Sequence, residues 1–332
     1  MTTRIASSGL LGLGTGSVIA FFFWGRSDQY NNPGQTAVQT DEGRGLGGKP
    51  PGGIQVYGTG VNPSGFFKYG FPGPIHDLQN REEFVSCYDR RTRMPYWVVE
   101  HVTAASLKNR NGDRKNSFFK EDEIIPDSFR ARLKDYFRSG YDRGHMAPAA
   151  NAKFSQKAMD ETFFLTNVCP QIGDGFNRDY WAHFEYFCRT LTNKYHDVRI
   201  ASGPLFLPKQ GADGKFRVSY EVIGNPPSIA VPTHFFKVIV AENSKSKPES
   251  GDVAVAAFVL PNEPIPNERK LIDFEVPINA VERSSGLQFL QKLPASRKKN
   301  LCEEIDCHII VREFKKALPP SKSLPVLPPG RS

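Results

Sequence analysis

Two nine-residue runs, HFFKVIVAE at 234–242 and VAVAAFVLP at 253–261, are almost wholly apolar and rich in β-branched and aromatic residues. Such residues suit a pleated, packed surface, so the runs commit the chain to a sheet. Four further segments read the same way. FVSCYD and PYWVVEHV, joined by the basic turn RRTRM, form a predicted hairpin, and VRIASG and RVSYEVIG are predicted strands. One helix stands out among them. In RDYWAHFEYFCRTLTNKY, Trp181, Phe184, Cys188, Leu191 and Tyr195 recur at intervals of three and four, the stripe of a helix lying on a sheet. The expected class is α+β with a mostly antiparallel sheet. No internal repeat is present.

With 332 residues, 39% of them hydrophobic, the chain has enough apolar material for one large core. The ends differ from the middle. Residues 5–24, IASSGLLGLGTGSVIAFFFW, carry no charge, Arg4 precedes them, and no acid appears before Asp28. This pattern predicts a mitochondrial targeting segment that also anchors the chain in the inner membrane, over residues 1–24. An ordinary signal anchor is the alternative. Residues 25–55, with NNPGQ and GRGLGGKPPGG, lack an apolar period and read as a flexible linker, while 319–332 form a proline-broken tail. One functional domain is expected between them, over 56–318. The formal charge is +8, most of it in this central body, which makes a polyanion a reasonable partner and an acidic small molecule a weaker one.

The five cysteines are odd in number and widely scattered, and a chain of this size needs no disulfide staples, so they read as mainly reduced. Cys302 and Cys307 in LCEEIDCH resemble half of a zinc site, but no second ligand pair accompanies them. His76, His101, His183, His196, His234 and His308 lack partners in the sequence and read as structural.

The seventh histidine is different. YDRGHMAPAAN, residues 141–151, crowds an acid, a guanidinium and an imidazole around one glycine. A glycine there lets the backbone bend or be approached closely, so His145 is expected at a strand end, facing a cleft. An imidazole titrating near neutrality can take a proton from water. Downstream, Asn177, Trp181, Glu185 and Arg189 stand four apart, a slowly drifting stripe that puts an oxygen ligand and a carboxylate on one helix wall. Sparse oxygen coordination suits Mg²⁺, which keeps several waters while gripping a substrate phosphate. Asn177 also reads as a helix N-cap, a role that asparagine favours.

The strings DRGH, FSQKAMDETFFLTNVCPQ, the N-x₃-W-x₃-E-x₃-R helix, GPLFLP, VIGNPPSIAVPTHFFK and VERSSGLQFL together resemble the ββα-metal DNA/RNA non-specific nucleases, and within them the endonuclease G branch with the fungal mitochondrial nucleases. The resemblance covers roughly residues 62–311. It implies a ββα-metal nuclease fold, a mainly antiparallel central sheet flanked by helices, and a Mg²⁺-dependent endonuclease with Mn²⁺ as a substitute, acting on both DNA and RNA and leaving 5′-phosphate ends. It also implies a symmetric homodimer. By the same resemblance His145 is the general base, Asn177 the metal ligand, and Glu185 holds a water of that metal. Arg114, Arg143 and Arg189 approach the phosphate or brace the site; Asn167 and Trp181 shape the pocket; Asp142 orients its neighbours. The basic residues Arg90, Arg91, Arg93, Lys108, Arg110 and Lys115 either extend a phosphate track or form a solvated face.

Two rivals remain open at this point. An exonuclease-type enzyme of the same fold is expected to have serine at the position of Asp142 and an extra helical region where this chain ends in prolines. A catalytically silent, membrane-tethered nucleic-acid-binding protein would have no need of His145, Asn177 and Glu185 together.

Overall fold

The computed structural model describes residues 63–70, 77–243 and 251–311. The expected leader, linker and tail, and His76, lie outside the described residues. In chain order the strands are β1 (Asp77–Asn80), β2 (Phe84–Asp89), β3 (Met94–Val102), β4 (Asp142–His145), β5 (Val168–Gln171), β6 (Asp197–Leu205), β7 (Lys209–Gln210), β8 (Phe216–Arg217), β9 (Val222–Ile223), β10 (Ile229–Ala230), β11 (His234–Glu242), β12 (Val253–Pro261), β13 (Glu275–Val276) and β14 (Lys298–Asn300). One sheet dominates, in the order β1-β2-β3-β6-β11-β12-β13. Every neighbouring pair along it is antiparallel, and β14 adds a single parallel pairing to β12.

The long strands are buried on both faces, which explains why their sequences are nearly continuous apolar runs. Period two sorts them. In β11, Phe235, Ile239 and Ala241 enter the core on one face, while Phe236, Val238 and Val240 enter the core on the other. The first face carries the predicted helix, which ends earlier than its apolar stripe: Trp181, Phe184 and Cys188 lie in Trp181–Thr190, Leu191 and Tyr195 in the turn after it, and all five are buried in the core on that face. On the second face lie residues 63–70 and a C-terminal helix, Ile278–Ser285. There, Glu242 is held by Lys68, the Tyr69 hydroxyl and Arg199.

One expectation fails. RVSYEVIG is not a core strand: it passes from β8 to β9 through an exposed arm on which Phe216, Val218, Tyr220 and Val222 face solvent. Its alternation is real, but among the described residues its apolar side stays exposed. Most of the cysteines are reduced, Cys87, Cys169 and Cys188 being free and buried, while Cys302 and Cys307 form a disulfide. That bond also removes the zinc reading. Its Cys307 anchors the last described turn in the core beside Leu301 and Ile309.

Candidate active site

His145 ends β4, which pairs only with β5 and forms a small ribbon separate from the main sheet. Gly144 precedes it for a steric reason. A Cβ at that position would stand 1.9 Å from Oε1 of Gln171, so only glycine lets the ribbon close. Just past the histidine, Asn167 spends its whole side chain on backbone. Its Oδ1 accepts from Ala147 N–H at 2.9 Å, and its Nδ2 donates to the carbonyls of Ala147 and Thr162 at 2.9 and 2.8 Å. Asn167 is fully buried, so it braces the turn after His145 and presents nothing to a pocket.

The imidazole is 9% exposed and lies between two rings, Phe119 at 5.0 Å and Phe163 at 4.8 Å between centroids. Each ring also carries a guanidinium: Arg143 at 4.4 Å from Phe119 and Arg114 at 5.2 Å from Phe163. Burial, and then the positive charges of Arg114 and Arg143, push the imidazole pKa down to about 3. The ring is therefore neutral across the ordinary pH range. Its Nε2 is enclosed with no hydrogen-bond partner, so the chain does not use this histidine as a structural crosslink. Among the described residues, Arg114, Arg143 and Arg189 form no ion pair with a carboxylate. Arg114 and Arg143 thus stand beside a neutral imidazole, while the Glu185 carboxyl draws on Arg114 and Arg189 without a direct ion pair.

Asn177 is not a helix cap. The segment Gly173–Tyr180 winds wider than an α-helix, with Asn177 N–H bonded to the Ile172 carbonyl at 2.9 Å and a break at Asp174 and Gly175. Gly175 takes φ +78 and has Pro264 where a Cβ would need to be. Within this turn the Asn177 amide nitrogen donates to Asp142 Oδ2 at 2.9 Å. Asp142 is itself clasped by Arg178, Nε to Oδ2 at 2.7 Å and Nη2 to Oδ1 at 2.6 Å. The amide is thereby oriented, and Oδ1 is the atom left for a ligand. Arg178 escaped the sequence reading because its partner lies 36 residues away and nothing local marks it.

Glu185 is half-buried, and burial raises its carboxyl pKa against the opposing pull of Lys237, Arg189 and Arg114. Trp181, expected at the pocket, is 1% exposed; its indole N–H donates to the His145 carbonyl at 3.4 Å, so it backs the site from the core. The basic turn divides. Arg90 is committed to Asp77 and Arg93 to the Ser128 carbonyl, whereas Lys108, Arg110 and Lys115 are exposed. Of the remaining histidines, His101 and His196 both bond Asp197 at 2.7 Å, His234 bonds Thr233, His183 is buried, and His308 is exposed.

A neutral imidazole beside Arg114 and Arg143, on a small ribbon near a bent helix, is compatible with chemistry on phosphate esters. Residues 62–296 match the DNA/RNA non-specific endonuclease family, and the chain belongs to it, as a nuclease with the ββα-metal fold. It is similar to the mitochondrial nuclease of Saccharomyces cerevisiae, 63% identical over 333 residues that span 100% of this chain and 99% of that one. It is also similar to human mitochondrial endonuclease G, 45% identical over 228 residues, 69% of this chain and 74% of the relative. A chain in the crystal structure of the EndoG/EndoGI complex aligns with a TM-score of 0.68 at 44% identity, covering 74% of this chain and 100% of that one.

Proposed function

We propose that this nuclease is a mitochondrial, Mg²⁺-dependent endonuclease that cuts both DNA and RNA without reading sequence and leaves 5′-phosphate ends. The observation that carries the reading is the neutral His145 imidazole between Phe119 and Phe163, flanked by Arg114 and Arg143. A ring nitrogen of His145 takes a proton from water as the water oxygen bonds to phosphorus and the bond to the 3′ oxygen breaks. Arg143, Arg114 and Arg189 hold the phosphodiester by its charge, which contains no base information. Asn177 Oδ1 would hold the metal directly, and Glu185 would hold one of its waters. The donor set fits a hard, hydrated ion, because one amide oxygen is oriented by Asp142 and no cluster of three or more His, Cys, Asp or Glu ligands occurs among the described residues. When bound, Mg²⁺ neutralises a non-bridging oxygen and stabilises the leaving 3′ oxygenate.

Closed circular DNA tests this. Nicking in Mg²⁺ that stops in EDTA, with 5′-phosphate at the new ends, is expected, and Mn²⁺ should substitute. Cleavage confined to linear substrates with free 5′ ends would establish the exonuclease rival, and binding without cleavage the silent one. Asp142 in place of serine favours the endonuclease.

The reading extends to architecture and place. The names of the two relatives support a mitochondrial location. We assign residues 1–24 to import and inner-membrane anchoring, 25–55 to a linker, 56–318 to a nuclease domain facing the intermembrane space, and 319–332 to a tail. Among the described residues no helix is long and apolar enough to cross a membrane. A homodimer is supported by the uncovered Phe216, Val218, Tyr220 and Val222, which a second copy would bury. Sedimentation of a chain lacking residues 1–55 as a monomer at micromolar concentration would remove the dimer.

A further inference from the structure

Asn151 closes the turn after His145, and the sequence reading gave it no task. It is 2% exposed, its backbone N–H bonded to the Pro148 carbonyl at 3.0 Å. Its side chain reaches two groups that belong to different elements. Nδ2 donates to Oε1 of Glu100 at 2.7 Å, and Oδ1 accepts from Nη1 of Arg189 at 3.1 Å. Glu100, 1% exposed, lies on β3 with the same parity as Val98 and Val102, so it enters the core on the site side of the sheet. There it shares a hydrogen bond with Glu83. Burial raises both carboxyls, and in Glu83 the facing Glu100 carboxyl adds to the rise, so the pair favours sharing a proton. The remaining negative charge faces Lys237, which is 1% exposed and bonded to Ser202 Oγ at 2.8 Å. Glu100 is thus a fixed post.

We propose that Asn151 is a positioning residue of the cleavage reaction, tying the Arg189 guanidinium to buried Glu100 through an uncharged amide so that Arg189 is held near Glu185 and oriented toward the phosphate. This rests on the role given to Arg189 in the preceding reading. The amide is the informative choice. A carboxylate hydrogen-bonded directly to Arg189 would orient it equally well, but its charge would offset part of the attraction that a phosphate would otherwise feel. An uncharged amide transmits orientation without adding that offset. Arg189 also lies against the Tyr186 ring at 5.7 Å and interacts with the Glu185 carboxyl, with which it forms no direct ion pair.

Variants of the full chain test this: Asn151→Ala, Asn151→Asp, Arg189→Ala, the double Asn151→Ala/Arg189→Ala, Glu100→Gln and Glu100→Ala. Thermal unfolding of each comes first, since Asn151→Ala leaves Glu100 short of a partner. With saturating Mg²⁺ and a short duplex, Asn151→Ala is expected to lower kcat by about 10²-fold, the scale of a misplaced contact, and to add almost nothing to Arg189→Ala. Glu100→Gln, whose amide oxygen still accepts from Asn151, should restore most of what Glu100→Ala loses. Duplex binding is read separately in EDTA as a function of salt. Asn151→Asp sets a carboxylate on Arg189, with Glu100→Gln in the same chain relieving the carboxylate it would face, and its salt slope should be shallower by about 0.9, one phosphate contact. Equal losses from Asn151→Ala in both backgrounds, or a wild-type slope for Asn151→Asp, would overturn the proposal. The binding arm needs no catalysis, so a chain that fails to cleave would refute the endonuclease reading while leaving this link to be judged on the slope.

Discussion

Replacing His145 with glutamine removes an imidazole that the fold keeps neutral, and the change should show in stability before it is sought in activity. Burial and the charges of Arg114 and Arg143 hold the folded pKa at about 3, against 6.5 for a free side chain. Between those values the unfolded chain binds a proton that the folded chain refuses, so the contribution of His145 is greatest above 6.5 and is lost as the pH falls through the window. At pH 5 the deficit is roughly 2 kcal/mol, and at pH 7.5 it is close to zero. Urea unfolding in EDTA at both pH values isolates it. Wild type should lose roughly 2 kcal/mol more than His145→Gln between pH 7.5 and 5, because every other titrating group is common to both proteins. The same neutrality puts the acid limb of cleavage below pH 5, where His145→Gln should already have lost at least about 10²-fold in kcat. A difference under about 0.5 kcal/mol would mean that the folded ring protonates normally, and the poised-base argument would be wrong.

Asn177→Ala should raise the Mg²⁺ concentration needed for half-maximal cleavage, and excess metal should recover part of the rate. Asn177→Asp should lose activity despite its better ligand charge, because it faces the Asp142 carboxylate where the amide donated; Mg²⁺ titration reads both. Gly144→Ala drives a Cβ into buried Gln171 and should cost about 1–3 kcal/mol in urea unfolding, with Gln171→Ala in the same chain restoring much of it. Reducing or deleting the Cys302–Cys307 bond closes no loop longer than a few residues, so unfolding with and without dithiothreitol should differ by about 2 kcal/mol. An unchanged midpoint would show the C-terminal turn to be held by Leu301 and Ile309 alone.

The strands of the central sheet were readable because burial on both faces demands continuous apolar residues, a signal that needs no partner to interpret. The exposed arm misled for the same reason. VSYEV alternates as a half-buried strand does, and only the packing around it reveals that nothing covers the apolar side. Within the proposed site, His145, Asn177 and Glu185 are candidates that residue chemistry and spacing supply, while Trp181 lies in the core, because a helical stripe does not say which of its members turn inward. Arg178, Asn151 and the two phenylalanines that grip the imidazole were missed. Each acts through a partner from a distant part of the chain, and Phe119 and Phe163 look like ordinary core residues until the ribbon closes on them.

Adjacent residues of β11 face opposite halves of the molecule: Lys237 lies over the Trp181 ring at 4.4 Å on the side of the histidine, and Phe236 and Val238 pack on the side of residues 63–70. The sheet therefore works as a bulkhead. The clasp of Lys68, Tyr69 and Arg199 on Glu242 stabilises the rear half without sharing a single side chain with the chemistry in front. Sequence drift, a fused tag or a designed binder on that rear surface can alter how the protein is held, moved or degraded, and among the described residues only the shared strands of the sheet link it to the cutting end.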